Sequence, residues 1–354
     1  MQTSPLAHAS LLVLLLFAFL VSSCTLRNTE TLDSAVDAGS VDAVRRHLNE
    51  GSDVNKTDEK GQTPLHISAQ NGSNTVAHVL IERGAKVDAQ DHEGRTPLHL
   101  AAKEGHTPMV DLLLTKGASV NSRDEQARTP LHYAAFGHGN DTPLILIAKG
   151  AAVDAMDKKA WTPLYLASLN NRPKMAELLI NKGATVNPEK SLSPLMGAVR
   201  DGHTQVVKVL LDYKAQVHGP PKASKTPLHL AAEKGYTEIA ELLIEHNASP
   251  NRKDATGSTP LYYATFNDHT QVMRILIDAK ADVNQKIPEG TLLHLAAQRG
   301  SREASRLLLE HGAELEVKNA KGFRPLDVAI NNGNQGIADM ITREMISRRE
   351  VGKS

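Results

Sequence analysis

The residues of this chain with the most chemistry in them are sixteen histidines and one cysteine. Imidazole serves as a metal ligand or general base, and a thiol as a nucleophile, a metal ligand or an acylation point. Five histidines, His66, His99, His132, His229 and His294, are each the fourth letter of a TPLH or TLLH segment. Imidazoles sharing a zinc ion must each lie about 2 Å from it. If each segment belongs to a separate packed unit, neighbouring histidines stand roughly 10 Å apart, the usual helix-packing distance. The pattern therefore reads as structural, each imidazole hydrogen-bonding an adjacent turn. His106, His203 and His269 fall at turns between helices and read the same way. The chain has no phosphate loop, no HExxH and no GxSxG elbow. No catalytic residue, metal, cofactor or small-molecule substrate is expected.

The elements that position these histidines are set by repetition. The four-letter segment or a variant starts at Thr63, Thr96, Thr129, Thr162, Ser193, Thr226, Thr259, Thr291 and Arg324, at spacings of 33, 33, 33, 31, 33, 33, 32 and 33 residues. A degenerate unit precedes them, with Glu30 in the first place. A fixed period of this size means stacked supersecondary units. In each unit Thr suits a helix N-cap and Pro the first helical position. A short apolar helix follows, then a turn nine residues after the Thr. That turn is glycine in seven units and His138, Asn171 or Asp268 in three, types that tolerate positive φ. The second helix carries apolar residues at i, i+3 and i+4, as at Ile239, Leu242 and Leu243. It ends on glycine or Asn247 in most units, but on Lys214 and Lys280 in two, where strain or a different ending is expected. A polar finger then reaches to the next unit. The two losses of length, before Ser193 and before Thr291, both fall in fingers.

The best copy, GRTPLHLAAKEGHTPMVDLLLTKGASVNSRD from Gly94 to Asp124, resembles the ankyrin repeat. The resemblance implies an all-α solenoid of about ten helix-turn-helix units with hairpin-like loops, over residues 31–354 with terminal caps. Ten units at the usual packing distance imply a rod about 90 Å long. It also implies a non-catalytic protein that binds another protein on the concave face. Partners of such arrays lie against the residue just before each Thr and the seventh and eighth after it. Most of those places are polar here. Arg128, Phe136, Trp161 and Leu169 are expected to converge as anchors in the fourth and fifth units, and Phe266 to form a second apolar point. Trp161 is the only tryptophan, and Trp and Arg are favoured interface anchors. The other reading buries Phe136 and Leu169 between helices and has Trp161 shield a loop. Tyr133 and Tyr263 replace the second leucine of the motif and read as core.

Forty Lys and Arg balance forty Asp and Glu, so no basic face for nucleic acid is expected. Residues 11–21, LLVLLLFAFLV, are too short to span a bilayer comfortably and fit a secretory signal covering 1–23. Val21-Ser22-Ser23-Cys24 resembles a bacterial lipobox. In that family the cysteine becomes the first mature residue and carries lipid, which implies an anchor and linker at 24–30 and a place in the cell envelope. Thr25 after the cysteine favours the outer membrane, facing the periplasm. Val21 and Ser23 also suit ordinary signal peptidase, which would leave Cys24 a plain thiol, and an uncleaved anchor is the third reading. Three functions stay open: a membrane-tethered scaffold, an inhibitor or immunity-type protein that blocks an enzyme or toxin, and a eukaryotic secreted ankyrin protein with glycans at Asn55, Asn71 and Asn140.

Overall fold

The computed structural model describes residues 31–218 and 225–351. The signal, Cys24 and the short linker lie outside the described residues. Among these residues the chain forms twenty helices in ten antiparallel pairs, and one short two-stranded ribbon. It divides into two compact units, 1–158 and 159–354. The first holds four described pairs, beginning with Leu32–Asp37 and Val41–Asn49. The second holds six, ending with Pro325–Asn331 and Gln335–Val351.

Within each unit, first helices pack on first helices and second helices on second helices. The reason is visible in one repeat. In helix Pro97–Glu104 every side chain from Pro97 to Ala102 is buried. The helix packs on its own second helix and on the first helices of both neighbouring repeats, and the small Ala101 and Ala102 let those helices come close. The equivalent leucines Leu65, Leu98, Leu131, Leu164, Leu228, Leu261 and Leu293 are all fully buried. Each contributes about 2–3 kcal/mol by leaving water. No pair could bury these faces alone, so stability is shared between neighbours.

Helix ends follow the sequence. Gly72, Gly105, Gly235 and Gly300 end first helices with φ of 68°, 77°, 75° and 73°. Asn171 and Asp268 also turn left-handed, at 52° and 57°. His138 does not. There the backbone passes so close that a Cβ on Gly137 would lie 1.8 Å from the Lys103 carbonyl oxygen. The His138 N–H donates to that carbonyl at 2.8 Å, and the left-handed residue shifts to Gly139, at φ 77°. Lys214 and Lys280 keep the left-handed ending at φ 62° and 69°, so these helices end as their neighbours do, under strain.

The finger that loses one residue becomes a true hairpin. Lys286–Ile287 pairs antiparallel with Gly290–Thr291, Lys286 opposite Thr291 and Ile287 opposite Gly290. Only Pro288 and Glu289 remain for the turn, and Gly290 takes φ 123°.

Candidate partner-binding surface

Two sets of hydrogen bonds hold the fingers against the first helices. The first is the histidine latch. His99 Nδ1 accepts from the Thr96 N–H at 3.0 Å, and its Nε2–H donates to the Arg128 carbonyl, 29 residues on, at 3.1 Å. His66, His229 and His294 do the same with Arg95, Ser258 and Phe323 at 3.0 Å each. These partners define the neutral tautomer with the proton on Nε2. Burial pushes the His99 pKa down to about 4, against the opposing bond to Arg128, and burial lowers His66, His229 and His294 as well. His106, His203 and His269 latch backwards, each Nε2–H donating to a carbonyl of the preceding repeat at 2.9, 2.9 and 3.1 Å. Both nitrogens of the four forward latches are thus committed to backbone or to the cap, which leaves them no role as ligands.

The second set is absent from the reading of the sequence. An aspartate five residues before the Thr organises the finger turn. Asp91 Oδ1 accepts from the Glu93 and Arg95 amides at 3.0 and 2.8 Å. Asp124 does so from Gln126 and Arg128, both at 2.8 Å, and Asp254 from Thr256 and Ser258 at 2.9 and 3.0 Å. The signal was present as a recurrent D-x-x-G or D-x-x-A before the Thr. Neighbouring fingers also bond to each other, His92 N–H to Lys60 O at 3.0 Å and Glu125 N–H to Glu93 O at 2.9 Å. A second overlooked series is an asparagine at the near end of several fingers. Asn121 donates to Gly150 O at 2.9 Å and accepts from Ala152 N–H at 2.8 Å, and Asn251 and Asn284 repeat the bridge.

This frame fixes the expected anchors. Arg128 and Phe136 lie in the first unit, Trp161 and Leu169 in the second. Arg128 braces its own finger. It pairs with Asp124 at 3.1 Å, and its guanidinium lies 5.2 Å from the Tyr133 ring centre. Tyr133 is buried and donates to Asp124 at 2.8 Å. Phe136 ends its helix and stands 52% exposed. Trp161 is half-buried, its ring 5.5 Å from Tyr165 and 4.8 Å from the Lys159 ammonium. Leu169 is half-buried and packs toward Gly197 of the next repeat. Phe266 is 38% exposed, with Tyr262 at 6.0 Å and the Arg299 guanidinium at 4.2 Å. Tyr263, read as core, is half-buried and donates to Asp254 at 2.7 Å, under the Lys225 ammonium at 4.2 Å.

Eight large apolar side chains are exposed among the described residues. Four stand at the residue before the Thr or at the seventh after it: Leu192 and Phe323 at the first place, Phe136 and Phe266 at the second. The family model for ankyrin repeats in three copies matches residues 32–124, 74–157, 121–190, 195–287 and 287–347. This chain belongs to the ankyrin repeat proteins. A stretch of 65 residues is 42% identical to ankyrin repeat domain-containing protein 13C of Mus musculus, covering 18% of this chain and 12% of that protein. Another of 58 residues is 43% identical to palmitoyltransferase ZDHHC13 of Homo sapiens, covering 16% of this chain and 9% of that one. These matches span about a tenth of the relatives' length. Ankyrin repeats imply protein–protein interaction.

Proposed function

We propose that this ankyrin repeat protein is a non-catalytic, membrane-tethered scaffold, anchored by lipid on Cys24, that binds another protein through finger residues and the ends of the first helices. The observation carrying the binding part is the exposure of Phe136 and Phe266 at the seventh position, on helices whose Leu131, His132 and Leu261 are fully buried. Exposed aromatics on a rigid frame lose little entropy on contact and exclude water well, which is how anchors act. The tether rests on the lone cysteine placed directly after an apolar run and two serines.

The test places a photo-crosslinking residue at Phe136 or Phe266 in the full chain and irradiates intact membranes. One discrete protein adduct from either position supports the reading. No adduct from either, with the unfolding midpoint unchanged, overturns it. Growth with labelled fatty acid tests the tether separately: the label is expected on the native chain and absent from Cys24→Ser. An unlabelled native chain would remove the anchor and leave the binding face untouched.

A further inference from the structure

The second unit carries a groove whose parts the folded chain leaves unused. A cleft of about 530 Å³ is lined by Pro288, Glu289, Gln298, Lys321, Phe323 and Asn331, among others. One wall is the hairpin turn created by the shortened finger, and another is the next finger. Phe323 is 41% exposed at its edge. Next in sequence to the lining residue Gln298, Arg299 holds its guanidinium carbon over the Phe266 ring, 4.2 Å from its centre, and Tyr262 continues the aromatic row at 6.0 Å from Phe266 and 5.4 Å from Tyr263.

The charges here are unevenly satisfied. At the far end of the row, Lys225 is neutralised by Glu233 at 2.8 Å. Arg299 and Lys321 are exposed and form no ion pair among the described residues. Elsewhere in the same unit, arginines such as Arg274, Arg306, Arg324 and Arg348 do find carboxylates. A guanidinium stacked on a ring keeps its edge donors free and aimed in a plane, the geometry that fits a carboxylate with two parallel bonds. Glu289 shows the opposite deficit. Its Oε2 is buried and has no hydrogen-bond partner. Buried polar atoms without partners are uncommon and costly, and a backbone N–H would satisfy this one. Gln298 and Asn331 are exposed, and their amides offer both a donor and an acceptor.

Resting on the protein-binding reading above, we propose that this groove receives an extended, acidic segment of the partner protein, carrying an apolar or aromatic side chain between carboxylates. The apolar side chain lies against Phe266 and Phe323. The carboxylates meet Arg299 and Lys321. A backbone N–H of the segment donates to Glu289 Oε2, and Gln298 and Asn331 bond its remaining backbone groups. The charge balance selects the sign of the partner: the two free groups at the rim are cations, and the one carboxylate there is positioned for a neutral donor.

The test selects random peptides displayed on phage against the full chain. Two libraries are used, one rich in Asp and Glu with apolar residues, the other rich in Lys and Arg. Enrichment is expected from the acidic library, with Phe, Tyr or Leu flanked by carboxylates. A selected peptide is then measured by fluorescence anisotropy. Arg299→Gln and Phe266→Ala should each weaken it about tenfold or more, as truncating a central anchor does, while Arg274→Gln, which removes a cation outside the groove, should not. Every variant must retain its unfolding midpoint. Enrichment of basic peptides, no enrichment at all, or unchanged affinity in Arg299→Gln would each overturn the proposal. A crosslinked adduct from Phe136 alone would at the same time keep the general binding function, so the two readings fail separately.

Discussion

In the repeat that opens at Thr96, His99 ties the Thr96 amide to the Arg128 carbonyl, and Asp91 gathers the amides of the finger that leads into it. In the repeat that opens at Ser193 the same two places hold Met196 and Pro188. Neither can make those bonds. The second repeat is held instead by shape. Tyr165, which replaces histidine one repeat earlier, lays its ring where a leucine would otherwise stand, and Gly197 makes the room. An added Cβ at Gly197 would lie 3.0 Å from the Tyr165 ring and 3.2 Å from Leu169. His203 supplies a histidine latch, to the Leu169 carbonyl at 2.9 Å, and Asn187 keeps the asparagine bridge to Lys214 and Gln216. Polar latches fix a finger's position through directed bonds, whereas ring-against-glycine packing fixes only the distance between helices. The first region should therefore be sensitive to loss of single polar groups and to acid, and the second to volume.

The sharpest way to break this contrast is to remove the latch. His99→Ala would leave the Thr96 N–H without a partner in a buried place, leave the Arg128 carbonyl only the Asp124 amide, and open a cavity. Each unsatisfied group costs about 1–3 kcal/mol, so a loss of about 4 kcal/mol is expected in chemical denaturation. Met196→Ala, at a half-buried position with no such bonds, should cost about 1 kcal/mol. Equal losses at the two positions would erase the distinction.

Acid should separate the regions next. The folded His99 titrates near 4, well below its ordinary 6.5, because burial disfavours the charged ring. A proton on Nδ1 would also meet the Thr96 N–H head-on. As the pH falls, the unfolded chain binds the proton first. The contribution is intact above about pH 6.5, and is lost progressively down to about pH 4, where it amounts to about 3 kcal/mol for this one residue. Unfolding midpoints measured across that window should fall, and His99→Met should flatten part of the slope. A flat profile in the native chain would mean that the latches titrate normally.

Volume is the corresponding test of the second region. Gly197→Leu restores the residue common at that place but should cost about 2 kcal/mol, by forcing Tyr165 and Leu169 aside. Tyr165→His together with Gly197→Leu should recover more than half of the loss. A double-mutant cycle measures this coupling directly. Additive effects would show that Tyr165 and Gly197 are not partners.

The histidine latches, the helix pairs and the left-handed helix ends were legible because each depends on residue type at a fixed place in the period. Asn171 and Asp268 behaved as their types require. His138 did not, because the decisive fact was Gly137 passing against a carbonyl in the preceding repeat, a contact distant in sequence. The finger aspartates were written in the chain as plainly as the histidines. They look like ordinary solvated charges until the amides that surround them are seen. The candidate site was legible only in register. Periodicity gives Phe136 and Phe266 their place as the seventh residue after the Thr, but the bond of Arg128 to Asp124, the approach of Arg299 to Phe266 and the orphaned oxygen of Glu289 depend on rotamers that it does not encode.

The smallest effects concern backbone strain, and they compare fingers with helix ends. Fingers turn left-handed two residues before the Thr, usually on glycine: Gly61, Gly94, Gly257 and Gly322 have φ of 76°, 74°, 81° and 81°. Ala127 and Ala160 adopt the same conformation at 62° and 59° without being glycine, just as Lys214 and Lys280 do at helix ends. An L side chain in that region costs about 1–2 kcal/mol, and a glycine returns roughly half of the difference to the unfolded chain as entropy. Ala127→Gly, Ala160→Gly, Lys214→Gly and Lys280→Gly should each raise stability by about 0.5–1 kcal/mol. The helix-end pair should gain as much as the finger pair if backbone conformation alone sets the effect. A gain confined to Lys214 and Lys280 would mean that the finger tips relax freely in solution, and that their Asp-organised turns hold them less firmly than the latches hold the helices.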